Sequence, residues 1–221
     1  MKKFFSRLTR NYSKPMGRVG RLFLRSMNVE HGVVTRKGLA MVSFAPGMTM
    51  LDIGCGGGAT LRRLLKRSPG GIVHGLDHSP DSVAFARQYN SDTLGKQSFV
   101  EQGDVASMPY DDSTFDLATA IETVYFWEDI DAAMDEVHRV LKPQGQFLIC
   151  CEVGVADGNV WTRIIDEMHT YSPEQLTAIL ERHGFEIVTT HTNWVGYLLI
   201  LSRAVKLTEN DNNFTNPIEK E

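Results

Sequence analysis

Residues 49–60 read TMLDIGCGGGAT, and the rest of the chain is organised around them. The apolar residues Met50, Leu51 and Ile53 indicate a short buried strand, which one carboxylate, Asp52, interrupts. Four of the next five residues are glycines, and a leucine-rich segment after them predicts a helix. Glycine has no Cβ atom, so such a turn lets the backbone approach a ligand closely, and the helix N-terminus presents free N–H groups there. The stretch therefore predicts a loop that binds a small-molecule cofactor.

Two classes of cofactor compete for this loop. Gly54, Gly56 and Ala59 fit the dinucleotide pattern GxGxxG/A, and Asp77 follows at roughly the expected distance of about 20 residues. Asp52 stands two residues before the first glycine, where a carboxylate would repel a pyrophosphate and attract a cation. The position of this carboxylate favours a cationic ligand without phosphate.

The spacing DxGxGxG, from Asp52 to Gly58, resembles that of class I S-adenosylmethionine (SAM)-dependent methyltransferases. The ligand of that family carries a sulfonium and an ammonium group. Residues 107–116, SMPYDDSTFD, resemble the segment LPF-x-D-x-x-FD of the quinone-biosynthesis methyltransferases, which act on small molecules. Residues 139–149, RVLKPQGQFLI, resemble the family's RVLKPGG-x-L. The resemblance covers residues 35–205, with its pieces in the family's order.

The resemblance implies an α/β fold with a Rossmann-like, doubly wound sheet of seven strands, mostly parallel with an antiparallel C-terminal strand. We divide the chain into a basic N-terminal helical extension or lid (1–34), the SAM-dependent methyltransferase domain (35–205) and a flexible polar tail (206–221). Strands are predicted at 50–53, 71–77, 98–105, 115–121, 146–152, 185–190 and 194–202; helices are predicted from residue 15, at 37–44, after the glycines, after Ser79, and at 130–141, 161–169 and 172–183.

The cofactor contacts follow from the resemblance. An acid at the end of the second strand, Asp77, accepts hydrogen bonds from the ribose hydroxyls, and His78 lies against the adenine ring. Asp104 accepts from the exocyclic amine, while the N–H of Val105 bonds a ring nitrogen. A turn or capping role is the alternative for Asp77. The complete set of predicted cofactor residues is Asp52, Gly54, Cys55, Gly56, Asp77, His78, Asp104, Val105, Ala120, whose carbonyl region meets the methionine ammonium, and His31, for which capping or packing is the alternative.

The predicted catalytic residues are Tyr125 and Glu152, with His169 behind them. Methyl transfer from a sulfonium is an in-line displacement in which the protein mainly orients the acceptor, and a general base matters only for hydroxyl or carbon-acid acceptors. Each residue has a structural alternative: a wall aromatic, a strand-end acid and a surface helix residue, respectively. The resemblance implies that the wall between methyl group and acceptor is formed by Glu122, Tyr125, Phe126 and Trp127. The acids do not cluster in a ligand pattern, so no metal site is predicted.

Charge is distributed unevenly along the chain. Residues 1–40 hold ten Lys and Arg against one Glu, whereas the whole chain has a net charge of −4. The acidic body disfavours nucleic acid as a partner and leaves a small-molecule acceptor. The basic helix predicted from residue 15, with Met16, Val19, Leu22, Phe23 and Met27 on its apolar side, either packs on the domain, covers the active site, or meets anionic lipid or an acidic substrate.

Composition sets the expected cellular setting. The three cysteines have neither disulfide nor zinc spacing, which favours a reducing cytoplasm. No apolar run reaches the length of about 18–20 residues that spans a bilayer, so we expect no stable membrane insertion and at most weak surface association through the basic N-terminus. A monomer and a homodimer both remain open.

Three functions remain as alternatives. The first is a SAM-dependent methyltransferase that acts on a small molecule and releases S-adenosylhomocysteine. The second is an NAD(P)-dependent oxidoreductase, against which Asp52 and Asp104 argue. The third is a SAM-binding protein without transfer activity that works through residues 1–28.

Overall fold

Seven strands form one sheet in the computed structural model, which describes residues 17–152, 168–192 and 197–205. Strands β1 to β5 pair in parallel, whereas β7 is antiparallel to both of its neighbours, β5 and β6. The order across the sheet is β3-β2-β1-β4-β5-β7-β6. This arrangement confirms the predicted fold class. The strands are β1 Thr49–Ile53, β2 Ile72–Asp77, β3 Ser98–Gln102, β4 Phe115–Ile121, β5 Leu141–Glu152, β6 Phe185–Thr192 and β7 Tyr197–Ala204.

Helices cover both faces of the sheet. Three of them begin at a side-chain cap that the sequence favours: the side chains of Ser79, Asp129 and Ser172 each accept a bond from a backbone N–H in the first turn. Among the described residues, none of the helices is both long and apolar enough to cross a bilayer. The helices are α1 Gly17–Glu30, α2 Gly32–Leu39, α3 Ala59–Arg67, α4 Pro80–Tyr89, a 3₁₀ turn Val124–Phe126, α5 Ile130–Val140 and α6 Pro173–Arg182.

Two apolar clusters lie on opposite faces of the sheet, because successive strand residues point in opposite directions. Leu51 belongs to the cluster under α5 and α6, whereas its neighbour Met50 belongs to the cluster under α2, α3 and α4. Both side chains are 0% exposed. Burial of each such side chain stabilises the fold by about 1.5–3 kcal/mol. The helices on both faces thus leave the strand ends as the place where a ligand reaches the sheet.

Several element boundaries differ from the prediction. Helix α2 ends at Leu39 instead of Phe44, and Gly38 within it packs closely on Cys150 of β5. Strand β5 begins at Leu141 rather than 146, since its pairing with Phe115 starts before a bulge. Strand β3 ends at Gln102, three residues before the predicted end.

Other predictions fall on undescribed parts of the chain. Residues 1–16, the tail 206–221, and most of the predicted helix 161–169 lie outside the described residues. The last hairpin is described up to residue 192 and again from residue 197.

A carboxylate occupies the middle of this apolar sheet. Asp52 of β1 stands opposite Thr119 of β4, and the Thr119 hydroxyl donates a 2.7 Å hydrogen bond to Asp52 Oδ1. Asp52 is 2% exposed. Burial raises the pKa of Asp52 to about 7, although the Thr119 bond and the nearby Arg63 charge both favour the ionised form. The sheet therefore retains a carboxylate that burial alone makes costly.

Two glycines with nearly the same backbone angles separate the cost of a left-handed φ from the cost of a close contact. Gly58 has φ +75° and Gly47 has φ +76°. A Cβ atom at Gly58 would lie 2.5 Å from Asn90 Nδ2 and 2.9 Å from Ala86 Cβ, whereas nothing lies within 4 Å of one at Gly47. We predict that Gly47→Ala lowers the free energy of unfolding by about 1 kcal/mol, and Gly58→Ala by about 1–3 kcal/mol more. Urea unfolding of both variants measures this. Equal losses would contradict the assigned contact.

The burial of Asp52 predicts a pH dependence of stability. Its folded-state pKa of about 7 lies above the unfolded value, so protonated Asp52 stabilises the fold at low pH. That contribution is lost as the pH rises through 7. Relative to wild type, Asp52→Asn should therefore gain about 2 kcal/mol in unfolding free energy between pH 5 and pH 7. Any fixed cost of the amide cancels in this comparison.

Urea unfolding of the protein without added ligand at both pH values tests the expectation. The control is Asp92→Asn, which removes a carboxylate whose side chain is 61% exposed. The difference in unfolding free energy between Asp92→Asn and wild type should change by less than about 0.5 kcal/mol from pH 5 to pH 7. If Asp52→Asn followed the wild-type pH dependence, Asp52 would not be the titrating group.

Candidate functional site

A cavity of about 580 Å³ opens beyond the carboxyl ends of β1, β2 and β4. This is where the strand order reverses, because β1 lies between β2 on one side and β4 on the other. In open α/β sheets such a switch point is the usual place for a ligand. The cavity wall is formed by the glycine turn, the residues after β2, β3 and β4, the α1–α2 junction and His169.

Backbone hydrogen bonds hold the glycine turn against the next strand. The N–H groups of Gly54 and Cys55 both donate to the carbonyl of Leu76, at 2.8 and 3.0 Å. The N–H of Gly56 donates to Asp77 Oδ2 at 2.8 Å. The predicted residues Asp52, Gly54, Cys55 and Gly56 all line the cavity.

Asp77 connects two loops at the end of β2. Besides the bond from Gly56, its Oδ1 accepts from the N–H of Ser79 at 2.9 Å. Asp77 is 7% exposed, and burial raises its pKa against the opposing effect of these N–H groups. His78 Nδ1 lies 3.8 Å from Asp77 Oδ1, with half of the His78 side chain exposed. Both residues line the cavity. Asp77 also accepts backbone hydrogen bonds within the turns, as its alternative role as a turn residue requires.

The loop after β3 brings a further carboxylate to the cavity. Asp104 is exposed and lines the cavity together with Val105. Oδ1 of Asp104 accepts from the N–H of Ala106 at 2.9 Å, which fixes the loop. Ala120 of β4, by contrast, is 0% exposed and does not line the cavity, whereas the next residue, Ile121, does.

The junction of α1 and α2 forms one side of the cavity. Asn28 Nδ2 donates to the carbonyl of Gly57 at 3.2 Å, and Arg63 Nη2 donates to the carbonyl of Asn28 at 2.9 Å. His31 lines the cavity as predicted, and its carbonyl accepts from the Thr35 hydroxyl at 2.6 Å. Sequence reasoning missed Asn28 and Arg63, because neither belongs to a motif and both depend on how α1 packs.

Helix α1 packs on the domain, as one of the three sequence-based alternatives requires. It contacts α4, and the N–H of Gly17 donates to Asp81 Oδ2 at 2.9 Å. Leu24 is 0% exposed although it lies outside the predicted apolar side, while Arg25 is exposed. The apolar side chains predicted at 16, 19, 22, 23 and 27 lie outside the described part of the structure.

The three predicted catalytic residues are only partly brought together. The backbone N–H of His169 donates to the carbonyl of Tyr125 at 2.8 Å, and the His169 side chain is exposed at the cavity. The Tyr125 hydroxyl lies behind the wall, where it donates to Glu122 Oε2 at 2.9 Å. Glu152 ends β5 opposite Tyr197, and its side chain lies outside the described residues.

Glu122 has a buried position and a backbone conformation that the sequence does not predict. It is 7% exposed, lines the cavity and has φ +56°, a conformation that is uncommon outside glycine. Its N–H donates to the carbonyl of Cys150 at 2.7 Å. Backbone conformations of this kind cluster at functional sites. The sequence names Glu122 as a wall residue and gives no sign of this backbone.

Within the described ranges, there is no group of three or more His, Cys, Asp or Glu residues that could hold a metal ion. The acids at the cavity come from the ends of β1 and β2 and from the segments after β3 and β4. Their arrangement suits an organic ligand with several hydrogen-bond donors and positive charge.

Comparisons with known proteins match part of this chain to a known domain. A family model described as a methyltransferase domain matches residues 51–149. The chain is 36% identical over 107 residues to a sterol 24-C-methyltransferase of Gibberella zeae, and the aligned region covers 48% of this chain and 28% of the relative. It is 31% identical over 157 residues to cycloartenol-C-24-methyltransferase 1 of Oryza sativa, which covers 65% of this chain and 45% of the relative.

A solved structure extends the comparison to the fold. A SAM-dependent methyltransferase from Aquifex aeolicus superposes with a TM-score of 0.70 at 21% identity, over 84% of this chain and 98% of that structure. The present chain spans less than half the length of the two curated relatives, so the likeness concerns the domain that they share. Residues 51–149 thus match a methyltransferase domain, and the seven-stranded sheet around them has the fold of a SAM-dependent methyltransferase.

Proposed function

We propose that the protein transfers a methyl group from SAM to a small-molecule acceptor by in-line displacement. One observation carries the proposal: the cavity at the switch point joins a glycine turn to three carboxylates, Asp52, Asp77 and Asp104. Carboxylates accept hydrogen bonds from ribose hydroxyls, an adenine amine and an ammonium group, whereas they repel a pyrophosphate.

The chemical groups that line the cavity are complementary to those of SAM. Asp77 would accept from the ribose hydroxyls, Asp104 from the adenine amine, and His78 would lie against the ring. Asp52, with the backbone after β4 near Ala120, would face the methionine ammonium. When bound, SAM would supply the methyl group, with the electron pair of the cleaved carbon–sulfur bond left on sulfur in S-adenosylhomocysteine.

The chain's own contribution to the reaction is orientation. Holding an acceptor in line with the methyl group contributes up to about 7–11 kcal/mol. The wall from Glu122 to Trp127 would separate methyl group and acceptor, with Tyr125 and His169 beside it. Trp127 is 5% exposed, and a buried aromatic residue in this wall would help to exclude water.

Helix α1 would act as a cover for the bound cofactor. The contact of Asn28 with Gly57 and that of Arg63 with the Asn28 carbonyl support this role. Residues 1–34 would then be a lid on the domain of residues 35–205. We further propose a protein of the reducing cytoplasm, to which the free thiols of Cys55, Cys150 and Cys151 are suited. The acidic cavity disfavours a nucleic acid as the acceptor.

Methyl transfer itself is testable with SAM that carries a trideuterated methyl group. The protein is incubated with this SAM and a small-molecule extract, and products are sought by mass spectrometry. A labelled product that depends on the protein would support the proposal. Binding of SAM without any labelled product, across extracts from several growth conditions, would favour the alternative of a SAM-binding protein without transfer activity.

The assigned ribose contact predicts the effect of Asp77→Ala. Loss of a charge-assisted hydrogen bond to the ribose should weaken SAM binding by about 10–100-fold. Calorimetric titration of the folded variant measures the change.

The matched control is Asp116→Ala. Asp116 also accepts a backbone bond, from the N–H of Thr49 at 2.8 Å, yet it does not line the cavity. Its removal should leave SAM affinity within about twofold. Wild-type affinity in a folded Asp77→Ala variant would refute the assignment of the ribose contact.

A further inference from the structure

The cavity has an uneven distribution of charge beyond the glycine turn. The segment after β4 brings three carboxylates to the wall: Glu122, Glu128 and Asp129. Among the described residues that line the cavity, Arg63 is the single Lys or Arg. Arg63 lies at the α1–α2 junction, where it donates to the carbonyl of Asn28. The half of the cavity that an acceptor would enter is therefore negative.

Two aromatic residues lie between Glu122 and Glu128 in the chain. Phe126 and Trp127 both line the cavity, directly before Glu128 in the chain. The face of an aromatic ring attracts a cation, and the attraction grows where water is excluded. Carboxylates flanking aromatic faces form a surface that favours an organic cation over an organic anion.

Glu122 is the deepest of these carboxylates. It is 7% exposed, whereas Glu128 and Asp129 lie at the exposed mouth, and Asp129 also caps α5 through the N–H of Ala132 at 3.0 Å. The Tyr125 hydroxyl holds one Glu122 oxygen at 2.9 Å and so orients the carboxylate. A charge pair formed at a buried position is stronger than one formed at the surface.

We propose that the acceptor is an amine that carries a positive charge in solution, with its nitrogen received by Glu122 and its carbon skeleton packed on Phe126 and Trp127. This inference rests on the proposed methyltransferase function and names its substrate class. A carboxylate acceptor meets like charge at Glu122, Glu128 and Asp129 and is disfavoured. An ammonium group must also release a proton before its nitrogen can react, and the Glu122 carboxylate is placed to accept that proton: the N–H bond breaks and an O–H bond forms.

Binding of matched probes tests the substrate class directly. The probes are 2-phenylethylamine, 2-phenylethanol and 3-phenylpropanoate, which share a ring and differ in charge. Their binding is measured by calorimetry on the full chain saturated with S-adenosylhomocysteine. The amine should bind about tenfold or more tightly than the alcohol and the acid. Equal or tighter binding of the acid or the alcohol, or no binding of the amine, would overturn the proposal.

The variant Glu122→Gln tests the assigned residue. The substitution keeps the size of the side chain and an oxygen that can accept from Tyr125. The variant should bind the amine about tenfold more weakly than wild type does and should bind the alcohol with unchanged affinity. The control is Glu186→Gln, since Glu186 is exposed at the start of β6 and lies outside the cavity. Unchanged amine binding by folded Glu122→Gln would overturn the role of Glu122. If the variant does not fold, the binding of the three probes to the wild type still tests the proposed amine class.

The same experiment separates this inference from the function on which it rests. SAM binding by the wild type together with a preference for the acid or the alcohol would refute the amine class and leave the methyltransferase proposal standing. Failure of both SAM and S-adenosylhomocysteine to bind would refute the proposed function itself.

Discussion

The Asp77 carboxylate makes the connection on which the cavity depends. It accepts one backbone N–H from the glycine turn after β1, at Gly56, and another from Ser79, the cap of α4. These bonds fix two loops that belong to different βα units relative to each other. Because β1 and β2 are adjacent parallel strands, both loops leave the same edge of the sheet. One buried side chain thus shapes the floor of the site and also faces the space that a ligand would fill.

The second constraint is electrostatic. Burial raises the pKa of both Asp52 and Asp77, so the ionised forms are costly in the protein alone. A cationic ligand offsets that cost, since it pairs with the charge that water no longer solvates. Further carboxylates, including Glu122, extend the negative wall beyond the glycine turn. A cavity of this charge suits a sulfonium donor and, as we propose, an amine acceptor.

The sequence predicts local features well where short-range rules dominate. Short apolar runs predict the strands of the sheet, and Ser79 and Ser172 predict two helix starts, because capping acts within one turn. It failed where distant parts of the chain meet. Asn28 and Arg63 reach the cavity through the packing of α1, and the positive φ of Glu122 depends on the pairing of β4 with β5. Ala120 itself is buried and does not line the cavity, whereas the next residue, Ile121, does.

The most direct test of the account is calorimetric titration of the purified protein with SAM, S-adenosylhomocysteine and NADH in parallel. The two cofactors of methyl transfer share the adenosine and the amino acid part, whereas NADH carries the pyrophosphate that Asp52 would repel. We expect micromolar binding of SAM and S-adenosylhomocysteine and no binding of NADH. Binding of NADH alone would contradict it, and the glycine turn would then serve a dinucleotide.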